Sequence, residues 1–255
     1  MTKQSRNLIH AALLLGLALS LTPANGAESK DSTSDPRQPA RGSIEGVVTF
    51  QGEIPKSPIS DDAGVQRDLL QVDRGSRGLA NVVVWLIAPD SRLTERPLET
   101  PRTPVLMDQR DHEFVPRVIA VLAGQPVKFS NSDPANHNVR TSSAQSKNEF
   151  NVFTGIDGTY THSFVADPQE KPVSLGCDIH PWMRGWIYVL QHPHFAVTDE
   201  RGRFRIGSVP AGKYTLAVRQ PDIKYAREES VTVSNKQPTK VQIEIRAEDV
   251  KKTKE

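Results

Sequence analysis

The chain holds one cysteine, Cys177, in 255 residues. A disulfide within the chain is therefore excluded, although exported proteins often use them. Aromatic residues make up only 6% of the sequence, and no cluster of them forms a platform for a sugar ring. Neither sign of charge dominates: setting Lys3 and Arg6 of the leader aside from the 32 basic residues balances the 30 acidic ones. That balance excludes the broad basic field of a nucleic-acid binder and the polybasic patch of a membrane-surface protein. Sustained helical periodicity is missing, as are a phosphate-cradling glycine loop and a recognisable set of catalytic side chains. The expectation is a protein that is not an enzyme. The lone cysteine has three readings at this point: a buried inert thiol, a link between chains, or a metal ligand.

One apolar run stands out, "AALLLGLALSL" from Ala11 to Leu21, behind a basic start at Lys3, Arg6 and His10. It has the length of a signal-peptide core and is short for a membrane span. Small residues at Ala24 and Gly26 place cleavage after Gly26, so 1–26 is read as a signal peptide. No cysteine follows to carry a lipid, so a periplasmic or secreted chain without membrane insertion after cleavage is expected. Residues 27–41, "AESKDSTSDPRQPAR", are polar and without apolar rhythm, and read as a flexible linker. The end, 248–255, reads as a charged tail, and "KYAREES" likewise as solvated charge.

The rest is a succession of short runs rich in Val, Ile, Thr and aromatics, among them "SIEGVVTF", "NVVVWLIA", "PVKFSN", "GWIYVL", "YTLAVR" and "KVQIEIR". Turn residues such as "AGQP", "DERG" and "SNKQP" bound most of them. The predicted class is all-β, of sandwich or barrel type. A short helix is expected around "GVQRDLLQV", within 61–79. "GSIEGVVTFQGEIP" with "NVVVWL" resembles the opening of a carboxypeptidase regulatory-like (transthyretin-type) sandwich. "FAVTDERGRFRIGSVPAGKYTLAV" resembles its second half, with Gly202 and Gly212 supplying turn conformations that a Cβ disfavours. The resemblance implies a regulatory-like sandwich from 42–100 plus 192–247, interrupted by a second block at 101–191. Separate domains joined end to end are the other arrangement.

The chemistry concentrates in that second block. "CDIHPWM" at 177–183 sets Cys177, His180 and Met183 in the spacing C-x2-H-x2-M, and "NSDPANHNV" places His137 forty residues earlier. One thiolate, two imidazoles and one thioether are the donor set of a blue copper site. A soft thiolate suits both copper oxidation states, and a weak thioether contact leaves little to rearrange when an electron arrives. The segment from "RVIAVLAGQPVKFSNSDPANHNV" to "GCDIHPWMRGWIYVL" resembles the cupredoxins, with an amicyanin-like ligand loop. That resemblance implies a Greek-key sandwich at 101–191, inserted in or fused to the regulatory-like one. It implies His137, Cys177, His180 and Met183 as ligands of one type 1 copper ion. It also implies that Asn138 ties the two ligand segments together.

Other residues carry weaker signals. Asp178 stands beside the thiolate and is expected to lower the potential. Trp182 either packs on the neighbouring sandwich or belongs to an apolar rim through which electrons leave. His192 and His194 form an H-x-H pair, read as a solvated strand edge or a domain junction in preference to a second metal site. His112 and His162 have no partner visible in sequence. Seven histidines and one cysteine are too few for a trinuclear cluster beside a blue site, and exclude a centre bridged by two cysteines. The expected function is one-electron transfer, Cu(II)/Cu(I), with a periplasmic redox protein. Alternatives are a copper carrier or sensor, and a structural or carbohydrate-binding module.

Overall fold

Every described strand is short and every described layer is a sheet. The computed structural model describes residues 40–87, 93 and 99–250, all within one compact unit. The expected signal peptide, the linker as far as residue 39 and the end of the tail lie outside them. Four strands open the chain: β1 (Arg41–Gln51), β2 (Lys56–Ser60), β3 (Gln66–Asp68) and β4 (Val83–Ile87). Nine follow in the middle: β5 (Val105–Arg110), β6 (Glu113–Val115), β7 (Val118–Leu122), β8 (Pro126–Asn131), β9 (His137–Ser142), β10 (Asn151–Thr154), β11 (Thr159–Ser163), β12 (Val173–Gly176) and β13 (Arg184–Leu190). Five close it: β14 (Phe195–Val197), β15 (Arg203–Pro210), β16 (Gly212–Gln220), β17 (Tyr225–Val233) and β18 (Thr239–Arg246). The chain is all-β. Its only helical pieces among the described residues are short 3-10 turns, and none is long and apolar enough to cross a membrane.

Four sheets stack face to face. The order β15-β1-β18 forms an outer sheet, and β14-β4-β16-β17 packs on it. Ile44, Val48 and Phe50 of β1 meet Val84 and Leu86 of β4 and Leu216 and Val218 of β16 in the first core. The early strands β1 and β4 thus take all their sheet partners from residues beyond 194. The middle strands form β10-β9-β12-β13-β7 and β11-β8-β5-β6. Between these two sheets lies a second core of Met107, Phe114, Val127, Phe129, Val139, Leu175, Cys177, Met183 and Ile187.

A third, smaller core joins the two sandwiches back to back. Val83 and Trp85 of β4 and Ala217 of β16 face Val118 of β7 and Tyr188 and Leu190 of β13. Successive side chains point to opposite faces of a strand, so "VVWLI" is apolar throughout because β4 is covered on both sides. An ion pair crosses the same seam. Arg117 donates from Nε and Nη2 to the two oxygens of the buried Asp222 carboxylate, at 3.1 and 2.7 Å, and Trp186 Nε1 donates to Oδ1 at 3.1 Å.

Two local expectations need correction. No helix forms in 61–79; β3, a bend and bridged turns occupy it. Val65, Leu69 and Val72 have helical spacing, but Leu69, Leu70 and Val72 pack on the first core while Val65 stays exposed, so no helical face is buried. The charged residues of "KYAREES" are solvated as expected: Arg227 and Glu228 are exposed on β17, which pairs with β16 along its whole length. Gly202 has φ +75°, and a Cβ there would lie 2.1 Å from the Val48 carbonyl oxygen, but Gly212 has no positive φ and starts β16. The left-handed residue nearest to it is Ser208, inside β15.

His192 and His194 lie at the junction of the two sandwiches, the second of the two readings, rather than on a solvated edge. Both are buried between β13 and β14, where the chain passes from one sandwich to the other. The His194 N–H donates to His192 Nδ1 at 3.2 Å, while His194 Nδ1 is buried without a hydrogen-bond partner. Burial, and then the neighbouring His192, hold His194 down at about 4 from 6.5. The folded chain therefore resists protonation that the unfolded chain accepts between those values. Stability is full above pH 6.5 and falls as the pH drops towards 4, by roughly 3 kcal/mol from this residue. Urea unfolding at pH 7 and pH 4.5 checks this: His194→Gln should flatten the pH dependence, and an unchanged slope would remove His194 as its source.

Candidate metal centre

The donor residues come from two neighbouring strands of one sheet. His137 and Asn138 start β9, and Cys177 follows the last residue of β12. These strands pair antiparallel, with Gly176 opposite Arg140, so the end of β12 arrives beside the start of β9. After Cys177 the chain turns at once: the Met183 N–H donates to the His180 carbonyl at 2.9 Å, and β13 begins at Arg184. The turn returns His180 to the mouth of the sheet and sends Met183 inward to the apolar cluster that holds Cys177.

Cys177 Sγ lies 3.9 Å from Nδ1 of His137 and 3.9 Å from Nδ1 of His180, and these nitrogens are 2.9 Å apart. A triangle with those sides has its centre about 2.1 Å from each corner, close to the bond lengths of a first-row divalent ion to imidazole nitrogen and thiolate sulfur. All three side chains are buried. The set of one sulfur and two nitrogens, backed by a buried thioether, therefore fits a soft or borderline ion in both size and chemistry.

Hydrogen bonds fix the imidazoles and the thiol in these positions. The buried Asp133 carboxylate accepts from His137 Nε2 at 2.8 Å. An ionised carboxylate can only accept, so Nε2 carries the ring proton and Nδ1 presents a lone pair to Cys177 and His180. Asp133 also accepts the backbone N–H groups of Asp111 and His112, at 2.6 and 2.9 Å. Burial opposes its charge, but the bonds from the His112 backbone, the His137 ring and the Asp111 backbone outweigh burial and hold the carboxyl below its usual range. His180 is held below the ordinary histidine value, first by burial and then by His137 and His112, so its ring stays neutral near pH 7.

Asn138 spans the two segments. Its Oδ1 accepts from the Asp178 N–H at 2.7 Å and from Cys177 Sγ at 3.3 Å, and its Nδ2 donates to Asn151 Oδ1 and Asp178 Oδ2. Asp178 does not stand as a free charge beside the sulfur. Its carboxylate turns to Asn151 and Arg140, and those two bonds hold its pKa low. The field expected to lower a potential is thus offset by the Arg140 guanidinium. The Trp182 ring lies 5.2 Å from that of His180 and packs against the second core.

The structure adds a residue that sequence reasoning left aside. The His112 ring lies 4.7 Å from that of His180 and 5.4 Å from that of His137, edge-on to both. Asp111 and His112 are the two central residues of the β5–β6 hairpin, both with positive φ, at 55° and 56°. A two-residue hairpin loop with both residues left-handed usually reads Asn-Gly or Asp-Gly. "DH" between "VLMDQR" and "EFV" is the signal that was available. His162, by contrast, reaches the Lys147 carbonyl, and His192 and His194 lie on the connection from β13 to β14.

Residues 187–246 match the model of the carboxypeptidase regulatory-like domain. No curated protein matches the chain. Among solved structures, the chain is similar to a copper-containing nitrite reductase (NirK) from Thermus scotoductus SA-01, at 22% identity and a TM-score of 0.32, over 40% of this chain and 27% of that one. It is also similar to the Cu(I) form of a mutant of amicyanin, at 20% identity and a TM-score of 0.32, over 42% of this chain and 99% of that one. A second, reduced mutant of amicyanin gives 19% identity and a TM-score of 0.32, over 42% of this chain and 98% of that one. The regulatory-like match begins within β13 and runs to the last residue of β18.

Proposed function

We propose that this chain is an exported, non-enzymatic electron carrier that holds one copper ion through His137, Cys177, His180 and Met183. The observation that carries this reading is the single cysteine of the chain, buried and equidistant from two Nδ1 atoms. Copper held by such a set supplies reversible one-electron exchange. The chain's residues supply the conditions for it. Asp133 fixes the tautomer of His137, and Asn138 fixes Cys177 and the turn after it. The surrounding core of Met107, Phe114, Phe129 and Ile187 excludes water and resists rearrangement. His180 and Trp182 form the side from which an exported redox protein would be reached. The four-sheet stack stiffens the whole, with the regulatory-like sandwich as backing.

Mature protein with one equivalent of Cu(II) should show an intense visible thiolate-to-copper band and a narrow hyperfine splitting in its electron paramagnetic spectrum. Both should vanish in Cys177→Ser. A colourless wild-type protein would sink the reading. Asp133→Ala should weaken copper binding by about 10- to 100-fold, because it frees the His137 ring and unties the β5–β6 hairpin. Competition against a chromophoric chelator measures this, with circular dichroism to check the fold. Undiminished affinity would show that Asp133 does not orient the site.

A further inference from the structure

Three imidazoles meet at the open end of the second sandwich. His112, His137 and His180 each offer a ring nitrogen, and these atoms all lie within 4.8 Å of one another. Cys177 is not a member of that group of three. The burial is graded: His137 is sealed at 0% side-chain exposure, while His112 is 37% exposed on its hairpin tip. One carboxylate organises two of the three. Asp133 holds the His137 ring and both N–H groups of the turn that carries His112, so the hairpin tip and the buried ring are fixed to the same anchor. Trp182 lies on the other flank of His112, its ring 6.4 Å away and nearly parallel.

We propose that His112, His137 and His180 form a nitrogen-only site for a borderline divalent cation, such as zinc(II), nickel(II) or copper(II). The site shares two imidazoles with the thiolate position and needs no thiolate. The two positions therefore exclude each other. An ion caught at the exposed His112 is already on the two histidines that Cys177 completes, so the outer site is an entry position for the inner one. The hand-over rests on the function proposed above; the three-histidine site does not.

Little has to move. A tetrahedral ion bound at about 2.0–2.1 Å sets its donors about 3.4 Å apart. His137 and His180 are already within that spacing, at 2.9 Å between Nδ1 atoms. The adjustment falls on His112, a part-exposed side chain on a two-residue turn, and amounts to about 1 Å of ring movement. Imidazole nitrogen suits zinc, nickel and copper alike, so three of them select for charge and size class rather than for one element.

The test uses the mature chain with Cys177→Ser, alone and combined with His112→Asn. Asparagine tolerates the left-handed turn, so the hairpin is kept while the imidazole is lost. Zinc(II) competition against a chromophoric chelator should show one site in Cys177→Ser, weakened at least tenfold by adding His112→Asn. Pulsed electron paramagnetic resonance of the Cu(II) forms should count three coupled imidazoles in the first and two in the second. Equal zinc affinity in the two proteins, an equal nitrogen count, or no zinc binding by Cys177→Ser would overturn the proposal. The blue band belongs to the chain with Cys177 intact. A blue band with zinc affinity indifferent to His112 defeats this inference alone. Zinc affinity that depends on His112, without a blue band, defeats the electron-carrier reading alone.

Discussion

The structure depends on strands that are covered on both faces. β4 and β13 each supply alternate side chains to two different cores, so the sandwiches are fused along their inner sheets rather than tethered. Trp85 and Tyr188, with ring centroids 5.7 Å apart, fill that seam, and the Arg117–Asp222 pair closes it. A buried ion pair costs desolvation and gives little net stability, but removing one partner leaves an uncompensated charge. It therefore fixes how the two sandwiches meet. β13 matters twice, because the loop that precedes it carries His180 and Met183. A shift of the seam would be felt at the candidate metal centre.

Within the second sandwich the same logic runs from register to chemistry. The pairing of β9 with β12 decides that Cys177 arrives next to His137 and Asn138. Hydrogen bonds then remove the remaining freedom: Asp133 orients one imidazole, and Asn138 locks the start of the ligand turn. The ligand turn is short, so Cys177 and His180 reach one place with little chain to order. The candidate donors are thus held by the sheet, already in position for an ion.

Much of this could be read from the residues. Short β-rich runs between turn residues were enough for the class. "NHNV" and "CDIHPWM" are local in sequence, so their donor chemistry was visible without a fold. What escaped lay in long-range contacts. His112 comes to the site only because β5 and β8 pair in parallel and the β5–β6 turn is tied to Asp133. Asp178 looked like an isolated charge because Arg140 and Asn151 sit on other strands. "GVQRDLLQV" was misread because its Leu70 answers to a core built by distant strands rather than to a helical face.

The central claim is that the sulfur of Cys177 bonds to copper. Having one cysteine makes this open to a clean isotope test, since labelling cysteine with heavy sulfur changes a single atom. Resonance Raman spectra of the copper protein, excited in its visible band, would be recorded with natural and heavy-sulfur cysteine. With Cys177 Sγ bound to copper, the metal–sulfur stretching modes move to lower frequency on labelling. Unshifted modes, or no sulfur-sensitive mode in the spectrum, would contradict it.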